Sequence, residues 1–176
     1  MRTLIFILII LALNACYYNE GPAEFPAGEV MGYQPIYATE DDLEIAFVND
    51  QPIENPGKIY IYQQYLLIND RLKGVHVFDN ADPKNPKSLG FIRIIGNVDI
   101  AIKGFILYAD QINDLVAIDI SDIKNPVELD RKKSIYTYNE QLPPQDNNYF
   151  ECVDDARAHL LRGWKLTQLY NPQCFR

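Results

Sequence analysis

The sequence predicts a mainly β protein built around two four-stranded units, and three observations carry that reading. First, residues 67–89 and 107–129 align at an offset of forty residues with eight of 23 positions identical. Ordinary residue usage would give roughly one or two. The shared positions are Leu67/Leu107, Asp70/Asp110, Asp79/Asp119, Asp82/Asp122, Lys84/Lys124, Asn85/Asn125, Pro86/Pro126 and Leu89/Leu129. The alignment needs no gap, so both copies are expected to turn in the same places. Second, short apolar runs recur at regular spacing between turn residues. Third, these runs alternate or are densely apolar, as in Ile59 and Ile61 against Tyr60 and Tyr62, or in Leu66-Leu67-Ile68. Such runs suit strands covered on one or both faces. A β unit of about forty residues is the size of a propeller blade.

The chain opens on a leader. Arg2 precedes an apolar run from Leu4 to Leu13, which ends in Leu13-Asn14-Ala15-Cys16. A charged start, a short apolar core and a small residue before the cleavage point are what export machinery reads. The core is too short to span a bilayer as a helix. The segment resembles a bacterial lipoprotein signal peptide with a lipobox, covering residues 1–15. That resemblance implies a lipidated Cys16 as the first mature residue, and several acyl chains suffice for stable membrane anchoring. Tyr17 and Tyr18 follow, with no acidic residue in second position, which resembles sorting to the outer membrane of a Gram-negative cell envelope.

Without its leader the chain has 161 residues, enough for one modest domain. It carries 15 basic against 24 acidic residues, a formal net of −9. A surface of that sign disfavours nucleic acid, whose phosphates need clustered Lys and Arg. The one basic triplet, Arg131-Lys132-Lys133, reads as solvated charge at a strand end.

Residues 16–56 read as a tether and a short helix. Pro22, Pro26, Pro35, Pro52 and Pro56 punctuate the segment, and Thr39-Glu40-Asp41-Asp42 supplies an N-cap with an acidic first turn. The helix is expected over 40–48, with its apolar side chains covering an open face of the next sheet. The two β units follow over 57–134, as 57–96 and 97–134. In the first, strands are expected at 58–63, 65–69, 74–79 and 88–94, with turns at Gln63-Gln64 and Arg71-Leu72-Lys73. In the second they are expected at 97–102, 105–109, 115–120 and 127–132. Residues 135–176 read as a loop with Pro143 and Pro144, then a tail bearing Cys152 and Cys174. An even cysteine pair in an exported chain predicts a disulfide, here pinning a C-terminal hairpin.

The third strand of each unit and the loop after it carry a second resemblance. One copy reads Leu115-Val116-Ala117-Ile118-Asp119-Ile120-Ser121-Asp122-Ile123-Lys124-Asn125-Pro126, and the other Gly74-Val75-His76-Val77-Phe78-Asp79-Asn80-Ala81-Asp82-Pro83-Lys84-Asn85-Pro86. This resembles the LVIVD repeat of bacterial β-propeller-type proteins, over a little under half of the chain. The resemblance implies a blade-like scaffold without catalytic residues. Family propellers use many blades and two are found here, so an open arrangement is expected rather than a closed ring.

Asp79, Asp82, Asn85 and Pro86, with Asp119, Asp122, Asn125 and Pro126, are expected to shape turns. Asp and Asn side chains bond nearby backbone N–H groups, and Pro fixes the chain direction. A calcium site would need six to eight oxygens, often with a glycine at the bend, and these loops offer fewer carboxylates and no glycine. No metal or other cofactor is expected. His76 reads as a half-buried sheet position and His159 as exposed. No G-x-S-x-G, P-loop, G-x-G-x-x-G or H-E-x-x-H occurs, so the expectation is a protein that is not an enzyme. Tyr60, Tyr62, Tyr65, Tyr136 and Tyr138 offer rigid rings with polar tips. They fit the space between two sheets, a protein partner or a sugar. The function expected is a lipid-anchored, non-catalytic interaction or assembly module, whose partner is another protein or a second copy. The alternative is a glycan-binding accessory protein or glycan-active enzyme of the cell surface.

Overall fold

The computed structural model of the chain describes residues 24–136, 143 and 147–176. The leader, Cys16 and Tyr138 lie outside the described residues. The strands run β1 (Glu29–Tyr37), β2 (Ala46–Val48), β3 (Pro56–Tyr62), β4 (Tyr65–Asp70), β5 (Gly74–Asp79), β6 (Lys87–Arg93), β7 (Ile100–Lys103), β8 (Ile106–Gln111), β9 (Asp114–Asp119), β10 (Val127–Lys132), β11 (Tyr149–Phe150), β12 (Leu161–Tyr170) and β13 (Cys174–Phe175). They form three sheets, none of them closed: β2-β6-β5-β4-β3, β10-β9-β8-β7 and β12-β1-β11-β13.

Each of the first two sheets contains an antiparallel meander of four consecutive strands, β3–β6 and β7–β10, close to the spans read from the sequence. Each has two faces, because side chains alternate along a strand. Call the face bearing Ile61, Leu66 and Phe78 the front of the first sheet. The pairings Ile61↔Leu66 and Leu66↔Phe78 place these three on one side. Tyr60, Leu67 and Val77 are paired in the same way on the back. In the second sheet the front row is Ile102, Leu107 and Ile118, and the back row is Ala101, Tyr108 and Ala117. The core forms where the back of the first sheet meets the front of the second, joining Leu67, Val75, Val77 and Ile92 to Ile100, Leu107, Val116 and Ile118. Each of these side chains is at most 3% exposed, and burial on that scale stabilises by roughly 2 kcal/mol per side chain.

Forty-residue equivalence holds along the loops but not along every strand. After β5 and β9, Ala81 N–H donates to Asp79 Oδ1 (2.9 Å) and Ser121 N–H to Asp119 Oδ1 (2.7 Å). Lys84 and Lys124 N–H donate to Asp82 and Asp122 Oδ1, both at 3.1 Å. Before these strands the register differs. Asp70 pairs with Gly74 across three turn residues, whereas Gln111 pairs with Asp114 across two. The structural partner of Leu66 is therefore Leu107, and that of Ile59 is Ile100. Leu67 and Leu107, aligned without a gap in the sequence, lie on opposite faces. A one-residue slip has that effect.

The expected helix over 40–48 is corrected. Thr39 caps a single 3₁₀ turn, Glu40–Leu43, with a reciprocal Asp42 bond to the Thr39 N–H. Glu44 is already extended, and Ile45 and Phe47 alternate with period two. Residues 46–48 become a strand that pairs with β6 and widens the sheet at its edge. Phe47 lies over Gly90, where a Cβ would come within 2.5 Å of its ring.

The third sheet departs from the reading of 16–56 as tether and helix. β1 lies inside that segment and pairs with β12 from Glu29↔Tyr170 onward. Its Pro35 is tolerated because β11 pairs only with Gly32 and Tyr33, leaving one side of β1 open at the proline. Gly32 lets β11 approach: a Cβ there would sit 2.5 Å from Tyr149 O. Cys152 and Cys174 form a disulfide beside the antiparallel pairing of β11 with β13. The long strand of the tail, β12, pairs with β1 rather than within the tail. Phe150 meets Trp164 edge-on at 5.6 Å, and Tyr149 meets Phe175 at 4.9 Å.

Candidate functional site

The front of the first sheet is open where its counterpart in the second sheet is core. Ile59 is 64% exposed and Ile61 73%, on an edge strand. Leu66, Ile68 and Phe78 beside them are half-buried. The other end of this face is closed. There Asp70 accepts the backbone N–H groups of Glu54 (3.0 Å) and Asn55 (2.8 Å) and meets the His76 ring at 3.1 Å. His76 packs edge-on against Phe91 at 4.7 Å. Burial raises the Asp70 pKa, but the Glu54 N–H, His76 and Asn55 N–H outweigh it and hold the carboxyl below its ordinary value. His76, expected to be half-buried in a strand, is instead fully buried, 2% exposed, because it is committed to this bond.

Two clefts flank the second sheet. One of about 690 Å³ is lined by Glu40, Asp41, Glu44, Asp114, Glu128, Arg131, Lys133 and His159, among others. Arg131, expected to be solvated, instead forms its floor. The guanidinium donates to Glu128, Asp114 and Gln111 at 2.7–3.1 Å. Burial lowers the Arg131 pKa, but Glu128 and Asp114 more than offset it, so the net shift is upward. Glu128 and Asp114 on the floor are thus already paired with Arg131 within the protein. His159 is exposed and 3.5 Å from Glu40 at the rim.

The other cleft, of about 460 Å³, brings Tyr60, Tyr108 and Tyr136 around Ala101, Ile100 and Leu115, with the Lys58–Asp99 ion pair at its edge. Tyr60 donates its hydroxyl to Ile100 O at 2.6 Å, which fixes that ring. Tyr60 and Tyr136 were legible as candidates from clustering. Tyr108 was not, because it stands alone in the sequence and joins them only through the slipped register. Tyr62 and Tyr65 belong to the inter-sheet core or pack on it.

Asp79, Asp82, Asp119 and Asp122 each accept a backbone N–H two residues on. Asn85 and Asn125 each close their loop by donating N–H to the carbonyl three residues back, at 2.9 Å. Bonds from the Ser121 backbone and side chain lower the Asp119 pKa, and those from Asn125 and Lys124 lower that of Asp122. Pro86 and Pro126 precede β6 and β10. Among the described residues no group of three His, Cys, Asp or Glu is placed to hold a metal ion, and no described helix is long and apolar enough to cross a membrane. Comparison of the chain with protein-family models, curated proteins and solved structures finds no match.

Proposed function

We propose that the chain is a lipid-anchored cell-envelope protein, held by Cys16, whose two LVIVD-like blades act as a non-catalytic interaction or assembly module. The observation that carries this is the exposure of Ile59 and Ile61 on a sheet face whose repeat-equivalent, Ile100 with Ile102, packs into the core. Isolated exposed apolar residues are ordinary, but a contiguous apolar face on an edge strand marks an interaction surface or an aggregation hazard. Scaffolds of this kind imply no chemistry by themselves.

The test is a photoactivatable cross-linker at position 61 of the full chain in its native membrane. A discrete protein adduct, lost when the cross-linker is moved to position 84 on the loop, supports the module. Absence of any adduct from position 61 overturns it.

A second reading has its own observation. Three tyrosines around one cleft, rimmed by Lys58 and Asp99, offer the aromatic surface and polar edge that a sugar recognises. Under this reading the full chain retains particular oligosaccharides on a glycan array, and Tyr108→Ala abolishes retention. No retention by the parent chain removes this alternative.

A further inference from the structure

We infer that the partner is a second copy of this chain, docked head to tail, with the back of one copy's second sheet seated on the front of the other copy's first sheet. This rests on the interaction-module reading and names its occupant.

The internal contact supplies the template. Inside one molecule, the back row Tyr60–Leu67–Val77 packs into a core with the front row Ile102–Leu107–Ile118. Among the described residues one front and one back are left over: Ile61 and Ala101 are exposed, and Leu66, Phe78, Tyr108 and Ala117 are half-buried. The free front row, Ile61–Leu66–Phe78, holds the positions of Ile102–Leu107–Ile118. The free back row, Ala101–Tyr108–Ala117, holds those of Tyr60–Leu67–Val77. The two unpartnered faces are thus the repeat-equivalents of the two that already fit each other, and each chain carries one of both. Side-chain bulk differs at the outer positions, while at the centre Tyr108 stands where the core has Leu67 and Leu66 matches Leu107. Phe78 stands where the core has Ile118, while Ala101 and Ala117 stand where it has Tyr60 and Val77. A larger front is therefore matched to a back with smaller outer positions.

Such a contact uses different surfaces on its two partners, so it is heterologous, and repeating it makes either a ring or an open stack. The net charge of −8 on each chain opposes association at low salt. Because that repulsion is screened, added salt tightens an apolar contact of this kind.

Sedimentation of the full chain in detergent tests the proposal with two variants. Ile61→Asp spoils the free front and leaves the back intact. Ala117→Arg spoils the free back and leaves the front intact. The parent chain is expected to show concentration-dependent species larger than a monomer. Each variant alone should associate at least about tenfold more weakly, roughly 1.4 kcal/mol, with an unchanged melting temperature. A mixture of the two should recover dimers, since each supplies the face that the other lacks. Association lost with Ile61→Asp but kept with Ala117→Arg would mean front meets front and would overturn the head-to-tail contact. A parent chain that stays monomeric at all concentrations overturns self-association. If position 61 still cross-links to a different protein in the membrane, the module stands with another partner; if it cross-links to nothing, both readings fall.

Discussion

Ile59 and Ile100 hold the same place in their two sheets, yet one is 64% exposed and the other 3%. Ile59 pairs with Ile68 and through it with His76, and Ile100 pairs with Ala109 and through it with Val116. What separates the two positions is what lies in front of them. Ile100 meets the back of the first sheet. Ile100→Ala is therefore expected to cost about 3 kcal/mol, the loss of a buried aliphatic side chain with a residual cavity. Ile59→Ala in dilute solution should stay within about 0.5 kcal/mol. Urea unfolding of both variants checks this, and equal costs would mean that Ile59 is covered in the free chain.

The aspartate loops after β5 and β9 lead to a different expectation. Asp119 Oδ1 accepts the Ser121 N–H at 2.7 Å and Asp79 Oδ1 accepts the Ala81 N–H at 2.9 Å. Removing either acceptor by Asp→Ala should lower Tm by a few degrees, roughly 5 °C at most. Because the two loops share no partner, the double variant should show the sum. Calcium should not rescue or shift either, since these oxygens already serve the turn. Calorimetry with and without the ion decides it, and a calcium-dependent rise in Tm would assign the loops a metal instead.

Asp70 makes stability depend on pH. Its carboxyl is held below the ordinary value of 3.8 in the folded state, so the unfolded chain takes up its proton first as pH falls. The bonds to Glu54, Asn55 and His76 therefore stabilise the fold fully above the ordinary carboxylate range. That contribution is lost as pH falls through the folded value. Asp70→Asn should cost about 2 kcal/mol or more at neutral pH, by weakening a buried set of charge-assisted bonds. It should also flatten the fall in stability below about pH 4, because its folded and unfolded states no longer differ in that proton. Urea midpoints across pH 3–7 check this, and parallel curves for the two chains would remove Asp70 from the effect.

The meanders were legible because strand signals are local. Alternation such as Ile59-Tyr60-Ile61-Tyr62 and the paired Asp loops survive in any context. The faces were less legible. Leu67 and Leu107 look equivalent in a gapless alignment, but Arg71-Leu72-Lys73 spans one more turn residue than Ile112-Asn113, and only pairing reveals the slip. The segment around Pro35 was read as tether because Pro and Gly are strong local breakers. It becomes β1 only because β12, some 130 residues away, supplies a partner over nearly its whole length. Arg131 was read as solvated because Gln111, Asp114 and Glu128 converge on it only in three dimensions. The same holds for the tyrosine cleft, whose three rings come from β3, β8 and the segment after β10.

The disulfide should act on one sheet alone. Cys152 and Cys174 are 22 residues apart in sequence, and closing a loop of that size stabilises by about 3 kcal/mol through the unfolded chain. Within the fold the bridge stands beside a ladder of two pairs, Tyr149 with Phe175 and Phe150 with Cys174. Two pairings cannot hold a strand against fraying on their own, whereas β1 and β12 share an almost continuous ladder. Reduction, or Cys152→Ser with Cys174→Ser, should therefore speed amide exchange in residues 149–150 and 174–175 by orders of magnitude. Exchange in β4, β5, β8 and β9, which carry the inter-sheet core, should change far less, since none of them pairs with a strand of the bridged sheet. Hydrogen exchange read by mass spectrometry on the oxidised and reduced chain measures both regions in one experiment. Uniform acceleration in all three sheets would show that they unfold as one cooperative unit held by the bridge.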